Sequence, residues 1–255
     1  MFAPLRLNAV IPSIVIFFPL LAQSPQTGIP SRETLQYDVE WRLVSAGKAT
    51  LSWSASARES NPGWEAKLHL ESAGLVSRLF RVNDDYTATL DPNFCAEGTL
   101  MMAREANRNR ETKVTYDAAT KKASYLERDL TKKVTVASHE IDIPPCVHDI
   151  VGGLYLLRTL RLEPGHSTQL TLSDGKKNVL VKVESQRREE IKTPLGLEKT
   201  VMYEAFLFNN VLYRRPGHLH IWLTDDNRRL PVQIQIRLQF TIGTITLRLE
   251  KQEKL

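Results

Sequence analysis

The segment HLHIWLTDDNRRLPV, residues 218–232, decides the fold class of this chain. Aromatic and β-branched residues stand on both sides of the turn-forming run Asp225-Asp226-Asn227, a pattern typical of a strand, a polar turn and a second strand. Two more alternating segments follow, and the last ends near Leu249. The segment therefore predicts antiparallel β-structure.

The same period-two alternation recurs along most of the chain. Residues 37–43 and 49–55 alternate on either side of Gly47, which predicts a hairpin. About a dozen strands in one chain favour a large curved antiparallel sheet rolled into an open or closed barrel, because closure or coverage protects edge strands. Beyond the hairpin, strands are predicted at 64–71, 86–90, 113–116, 123–127, 134–139, 168–172, 177–185, 197–208, 218–224, 231–240 and 244–251.

One region departs from this alternation. Apolar residues between 147 and 162 recur at steps of three and four, which predicts a helix that plugs or covers the barrel. Asp149 is the expected N-cap, and Pro164-Gly165 ends the segment. The pair Gly152-Gly153 weakens helix propensity and so indicates close packing or a kink. Residues 74–80 fit either a helical turn or a strand.

The N-terminal residues predict export. Arg6 precedes an apolar stretch that is short for a membrane span, so residues 1–22 are interpreted as a signal peptide, with an uncleaved anchor as the alternative. Gln23 occupies the position that a lipid-bearing cysteine would need, so lipidation is not expected. Residues 23–33 form a predicted flexible leader, and 34–255 a single β-rich domain without a transmembrane span. The predicted location is the periplasm or the cell envelope.

Charge and cysteine content narrow the function classes. The net charge of +5 is scattered, without a basic run or a named nucleic-acid module, so nucleic-acid binding is not expected. Cys95 and Cys146 are the two cysteines of the chain. In an oxidising compartment they could form a disulfide, and two separately buried thiols are the alternative.

Several short motifs occur in a fixed order along the chain. They are Tyr37-Asp-Val-Glu-Trp41, Ala46-Gly47, Asp149, Tyr155, Leu157-Arg158, Thr193-Pro-Leu-Gly196, Trp222-Leu-Thr-Asp225, Arg229-Leu-Pro-Val232 and Gly243. In this order they resemble the DUF3108 family of exported bacterial proteins of unknown function, over about residues 35–250. The resemblance implies an envelope protein rich in antiparallel β-structure, with no established activity and no catalytic residues to transfer.

Two histidines are candidate metal ligands. His218 and His220 are two residues apart on a predicted strand, so both imidazoles point to one face, and Asp225 or Glu250 could add a carboxylate. A catalytic zinc site uses three protein ligands, and only two stand together in the sequence. The alternative is a pair of exposed or hydrogen-bonded histidines.

A second candidate site lies in the turn that follows these histidines. Trp222, Asp225 and Arg229 could form a polar cluster at the mouth of a cleft, where the arginine would bind an anionic headgroup or carboxylate. The alternative is a turn held by an internal Asp–Arg pair. Because the chain has no Gly-x-Ser-x-Gly elbow, hydrolase chemistry is not expected. We predict no catalytic residues and no cofactor.

Three functional hypotheses follow. The first is non-enzymatic binding or carriage of an apolar or amphipathic ligand, such as a lipid or glycolipid, inside a barrel too wide to be filled. The second is a structural or protein-interaction module of the envelope, with a filled core and an uncovered strand edge that meets an envelope protein partner. The third is a metal-dependent enzyme that uses the face carrying His218 and His220.

Overall fold

The computed structural model describes residues 29–56, 62–238 and 243–254. These residues form fourteen β-strands and two short helices. In chain order the elements are β1 Arg32–Trp41, β2 Val44–Ala55, β3 Trp64–Ser72, α1 Gly74–Leu79, β4 Asn83–Leu90, β5 Ala96–Glu105, β6 Arg108–Asp117, β7 Lys122–Asp129, β8 Val134–Asp142, α2 Ile150–Thr159, β9 Ser167–Ser173, β10 Asn178–Thr193, β11 Gly196–Ala205, β12 Gly217–Thr224, β13 Pro231–Leu238 and β14 Thr244–Lys254.

All fourteen strands belong to one antiparallel sheet. Their order is β8-β7-β6-β5-β4-β3-β2-β1-β14-β13-β12-β11-β10-β9, so the first and last strands pair at the centre. The edge strands β8 and β9 form no ladder with each other among the described residues. The two ends of the sheet nevertheless meet, since Tyr116 Oη donates to Ser173 O at 3.1 Å and Asn178 Nδ2 donates to Asp142 O at 2.6 Å. The predicted fold class is confirmed as an open, rolled sheet.

The predicted first hairpin is also confirmed. In the β1–β2 register, Leu35 lies opposite Leu51 and Tyr37 lies opposite Ala49. These four side chains, together with Trp53, are buried because alternation places them all on the core face. The hairpin turn is exposed beyond this core.

Helix α2 lies inside the rolled sheet and divides its core into two clusters. Val151 and Tyr155 pack with the strands around β1–β7, whereas Leu157 packs with those around β9–β12. The predicted Asp149 cap is confirmed, because its carboxylate accepts hydrogen bonds from the amides of Val151 and Gly152 at 3.0 Å each. The helix is shorter than the predicted 147–162, because the backbone is extended at both of its caps, Asp149 and Leu160.

The glycine pair in α2 permits close packing. A Cβ at Gly152 would lie 3.0 Å from the backbone oxygen of Phe94 and 3.0 Å from Leu90 Cδ2. A Cβ at Gly153 would lie 2.9 Å from Leu172 Cδ2. The predicted role in packing is therefore confirmed, and neither helix of the described residues is long and apolar enough to cross a bilayer.

Several element boundaries differ from the sequence predictions. Strand β5 was not predicted, because AEGTLMMARE is rich in helix-forming residues and becomes a strand through pairing with β4 and β6. Residues 74–79, which fitted two interpretations, are helical. Strand β13 ends at Leu238, and the rest of predicted strand 231–240 lies outside the described residues, as does the signal-peptide segment 1–22. Strand β1 begins at Arg32, inside the predicted leader.

A disulfide links the segment before β5 to the segment before α2. Cys95 and Cys146 are bonded with their Cα atoms 5.2 Å apart, which confirms the predicted pairing. The adjacent His148 forms a bridge with Leu172 of β9. The bonded segment therefore lies between the two halves of the sheet and helps to fill the gap between its edges.

Candidate functional site

The three residues of the predicted turn cluster have separate partners. Trp222 Nε1 donates to Glu189 Oε1 at 2.6 Å, and Asp225 accepts from Arg188 Nε at 2.8 Å. Arg229 instead points into the molecule and is buried. The structure therefore does not bring Trp222, Asp225 and Arg229 together, and their joint role in ligand binding stays a prediction.

An internal Asp–Arg pair does hold this turn, but it joins other residues. Asp226 accepts from Arg228 Nε at 2.7 Å and from Thr224 Oγ1 at 2.7 Å. Burial alone would raise the pKa of the Asp226 carboxyl, but these hydrogen bonds hold it below its ordinary value. The turn between β12 and β13 is thus fixed by Asp226 and Arg228.

A buried charged pair lies at the centre of the molecule. The side chains of Glu33 and Arg158 are fully buried and in contact with each other. Arg158 Nε also donates to the backbone oxygen of Arg229 at 2.9 Å, while Tyr155 Oη and Gln252 Nε2 donate to Glu33 at 3.1 and 3.3 Å. Glu33 lies within the predicted leader, 23–33, and no sequence pattern indicated its role. The pair connects α2 to β1 at the centre of the sheet.

Aromatic and aliphatic side chains fill the interior around this pair. Trp53 stacks on Tyr155 with ring centroids 3.7 Å apart and on Trp64 at 5.0 Å. Two concavities of the described residues, about 390 and 350 Å³, open to solvent. The larger lies beside the disulfide and is lined partly by the acidic side chains of Asp91, Glu97 and Asp117. A filled core is the arrangement that the second functional hypothesis predicts.

His218 and His220 share one face of β12 with a carboxylate from the neighbouring strand. Glu204 of β11 lies directly opposite His220 in the register. Its Oε1 atom is 2.8 Å from His218 Nδ1, and its Oε2 atom is 3.8 Å from His220 Nε2. One ligand atom from each of the three side chains lies within 4.8 Å of the others. The two histidines were candidate ligands from their spacing in the sequence, whereas Glu204 was not.

The other two carboxylates suggested for this group have different partners. Asp225 binds Arg188, and Glu250 accepts from Lys48 Nζ at 2.6 Å. Glu204 could not be identified from the sequence because it is 14 residues from His218, and the strand register alone brings the two together. A third ligand atom is therefore available, but it comes from β11.

One end of the rolled sheet carries exposed apolar side chains. They come from the β1–β2 turn and from α1, which adjoin because Ala73 N donates to Ala46 O at 2.8 Å. Leu43 is 87% exposed and Leu79 is 78% exposed. We call the set the apolar end surface; its members are Leu43, Val44, Leu75, Leu79 and Phe80.

The two chain segments that form this surface carry charges of one sign. Residues 41–46 and 73–82 contain three arginines and no acidic residue. Arg42, Arg78 and Arg81 are all exposed. Contiguous exposed apolar side chains mark surfaces that meet a partner or a membrane, and the arginines give this surface a positive potential.

The edge strand β8 is a second exposed feature. It pairs with β7 along one side, and the described residues place no strand on its other side. Most of its residues are exposed, including Val134 and Val136. Two exposed lysines, Lys132 and Lys133, precede the strand, and the acidic residues of its C-terminal half are exposed as well. An open edge of this kind can accept another strand.

A comparison with one known structure supports the fold. A β-barrel-like protein of the domain of unknown function DUF1849 from Brucella abortus is similar with a TM-score of 0.54 and 9% sequence identity, over 88% of this chain and 98% of that chain. A protein with a YmcC-like fold from Bacteroides fragilis gives a TM-score of 0.38 and 12% identity, over 89% of this chain and 98% of that one. At these identities the likeness to the DUF1849 protein concerns the fold alone.

Sequence comparisons give a family without an assigned activity. No curated protein matches the chain. The model of the family DUF3108, described as a protein of unknown function, matches residues 36–250, which agrees with the resemblance seen in the motifs. The matched part is most of the chain, and the protein therefore belongs to the DUF3108 family.

Proposed function

We propose that this protein is an exported, non-enzymatic module of the cell envelope that docks on the surface of an anionic lipid bilayer. The observation that carries the proposal is the apolar end surface with its three arginines. Exposed apolar side chains enter the boundary between headgroups and acyl chains, and the neighbouring cations bind anionic headgroups. Both kinds of group protrude from the same end of the sheet.

The packed interior favours contact with lipid at the outer surface of the protein. The first hypothesis placed a lipid or glycolipid inside the rolled sheet, which requires an unfilled cavity. The described interior is occupied by α2 and by stacked aromatic rings such as those of Trp53 and Tyr155. The apolar end surface is therefore the better-supported place for contact with a lipid.

Two features support export. The Cys95–Cys146 disulfide is of the kind that persists in oxidising compartments such as the periplasm. The apolar segment within residues 1–22 has the length of a signal-peptide core. Export would place the protein beside a membrane surface, where the proposed docking takes place.

The expected free energy of membrane binding is modest. It has one contribution from burial of apolar side chains and one from the attraction of arginines to anionic lipid. Full burial of a leucine or phenylalanine side chain contributes about 1.5–3 kcal/mol, and interfacial side chains are only partly buried. Each arginine near an anionic surface adds about 1 kcal/mol and is screened by salt. We therefore expect reversible binding that requires anionic lipid and weakens as ionic strength rises.

Sedimentation with lipid vesicles tests the proposal. The purified protein should bind vesicles that contain phosphatidylglycerol and phosphatidylcholine, and bind pure phosphatidylcholine vesicles far less. The variant Leu75→Ser/Leu79→Ser should lose at least about tenfold in affinity, since two apolar contacts are removed. The variant Arg78→Gln/Arg81→Gln should lose most of the salt dependence.

A matched control uses apolar residues exposed elsewhere. Leu180 and Leu197 are 58% and 64% exposed on β10 and β11, and the variant Leu180→Ser/Leu197→Ser should bind vesicles like the wild type. If the wild type fails to bind anionic vesicles, or if both double serine variants bind equally well, lipid docking at this surface is wrong.

Protein interaction through β8 is a second candidate function. It is favoured by the filled core together with the open outer edge of this strand. In an antiparallel pairing of two copies, Lys132 and Lys133 of one copy would lie against the Glu140 and Asp142 end of the other. Because the strand is complementary in charge to itself in this orientation, the expected partner is a second copy of the chain.

A further inference from the structure

We propose that Glu204, His218 and His220 form a binding site for one divalent transition-metal ion of the zinc class on the outward face of β11 and β12. This site is separate from the apolar end surface and does not depend on lipid docking. Two imidazoles and one carboxylate are a ligand set that zinc accepts, with a fourth position left for water.

The sheet itself creates the arrangement. Alternation places His218 and His220 on the same face of β12, with ring centroids 6.0 Å apart and planes inclined by 15°. The β11–β12 register sets Glu204 directly opposite His220. Since all three residues lie on paired strands, small side-chain rotations are enough to converge the ligand atoms from within 4.8 Å.

The three candidate ligands differ in their exposure to solvent. Glu204 and His220 are each 16% exposed at the side chain, whereas His218 is 56% exposed and faces solvent. The imidazole of His220 is the more sheltered of the two histidine rings. Trp222 borders this ring edge-on at 6.0 Å. The site thus has one exposed and two sheltered ligands.

The surroundings include both a supporting contact and opposing charges. Gln186 Nε2 donates to Glu204 Oε2 at 3.4 Å, which orients the carboxylate. The positive charges of Arg187 and Arg237 act on His220 and oppose the binding of a cation there. Affinity should therefore be moderate and should increase when either arginine is removed.

Zinc titration of the chelator-treated protein tests the site. Isothermal titration calorimetry should show one Zn²⁺ per chain, and native mass spectrometry should show a single metal adduct. Each of His220→Ala and Glu204→Gln should weaken binding at least about tenfold, because each removes one of three ligands. Binding should also weaken as pH falls through the ordinary histidine range, since protons compete for the imidazoles.

A spectroscopic measurement distinguishes ligation from nonspecific binding. Cobalt substituted for zinc should give visible absorption bands of a tetrahedral or five-coordinate site, and His220→Ala should abolish them. His139→Ala on the exposed strand β8 is the matched control and should leave both titration and spectrum unchanged.

Two results would overturn the site. One is a wild-type protein that takes up no stoichiometric zinc. The other is zinc binding that survives both His220→Ala and Glu204→Gln in folded protein, with folding checked by thermal melting. Either result would leave Glu204 and the histidines as an ordinary surface hydrogen-bonded group. Vesicle binding should be the same in His220→Ala as in the wild type, so the two proposals fail independently.

Discussion

The buried ion pair of Glu33 and Arg158 connects distant parts of the chain. Both side chains are excluded from solvent, and their ionic contact is supplemented by hydrogen bonds from Tyr155 and Gln252 and to the backbone of Arg229. Removing two charges from water is costly, so such a pair is retained only with well-formed hydrogen bonds. Its partners come from β1, α2, β14 and the turn before β13, so the pair connects distant parts of the chain.

Glu33→Gln should destabilise the protein by about 3–5 kcal/mol, because the substitution leaves the Arg158 charge buried without a counter-charge. The measurement is the free energy of unfolding from urea denaturation. The apolar double variant Glu33→Leu/Arg158→Met should be more stable than Glu33→Gln, since it removes both charges. A Glu33→Gln variant within about 1 kcal/mol of the wild type would contradict this account.

The edge strand β8 has outward-facing backbone groups that a strand of another molecule can bind. Ile143 N donates to Lys121 O at 2.9 Å, so the amide of Ile143 points toward the chain that forms β7. Because antiparallel strands alternate the direction of their backbone groups, the amides of Ser138 and Glu140 point away from β7. The outer edge of β8 therefore presents donors and acceptors for an added strand.

Ser138→Pro removes one of these outward donors without breaking the ladder with β7. If two copies pair through β8, analytical ultracentrifugation should show a dimer for the wild type and a monomer for Ser138→Pro. Ser138→Ala keeps the backbone donor and should remain dimeric. A wild-type protein that stays monomeric at high concentration, or a Ser138→Pro dimer, would rule out pairing of two copies along this edge.

At the scale of the whole molecule, the rolled sheet is closed by few contacts. The edge strands β8 and β9 do not pair in the described residues, and the gap between them is spanned by the segment that carries Cys146 and by α2. The disulfide to Cys95 encloses a sequence separation of 51 residues that includes β5 to β8. In the unfolded chain the disulfide therefore restricts the residues between Cys95 and Cys146, which form β5 to β8 in the folded protein.

Removing the disulfide should cost about 4 kcal/mol in the chain-entropy model for a loop of this length. The double variant Cys95→Ser/Cys146→Ser should show this loss as a lower thermal midpoint and a lower urea midpoint. Reduction of the wild-type protein should reproduce both shifts. Unchanged midpoints in both samples would show that the bond does not stabilise the fold.

The sequence by itself predicted most of the strands, helix α2 and some of their local detail. Period-two alternation predicted the first hairpin because the pleat of a strand directs alternate side chains to the same face of the sheet. Tyr37 of β1 and Trp53 of β2 are both buried on that face. The Asp149 cap and the Gly152 packing position followed from helix chemistry that acts within a few residues. The ordered motifs indicated the DUF3108 family.

Tertiary structure alone decided which distant residues meet. Glu204 joins His218 and His220 through strand register, and Glu33 joins Arg158 across the centre of the molecule. Sequence patterns carry information about neighbours at fixed spacing, whereas these contacts depend on how the whole sheet curls. The same reason explains why Arg229 is buried.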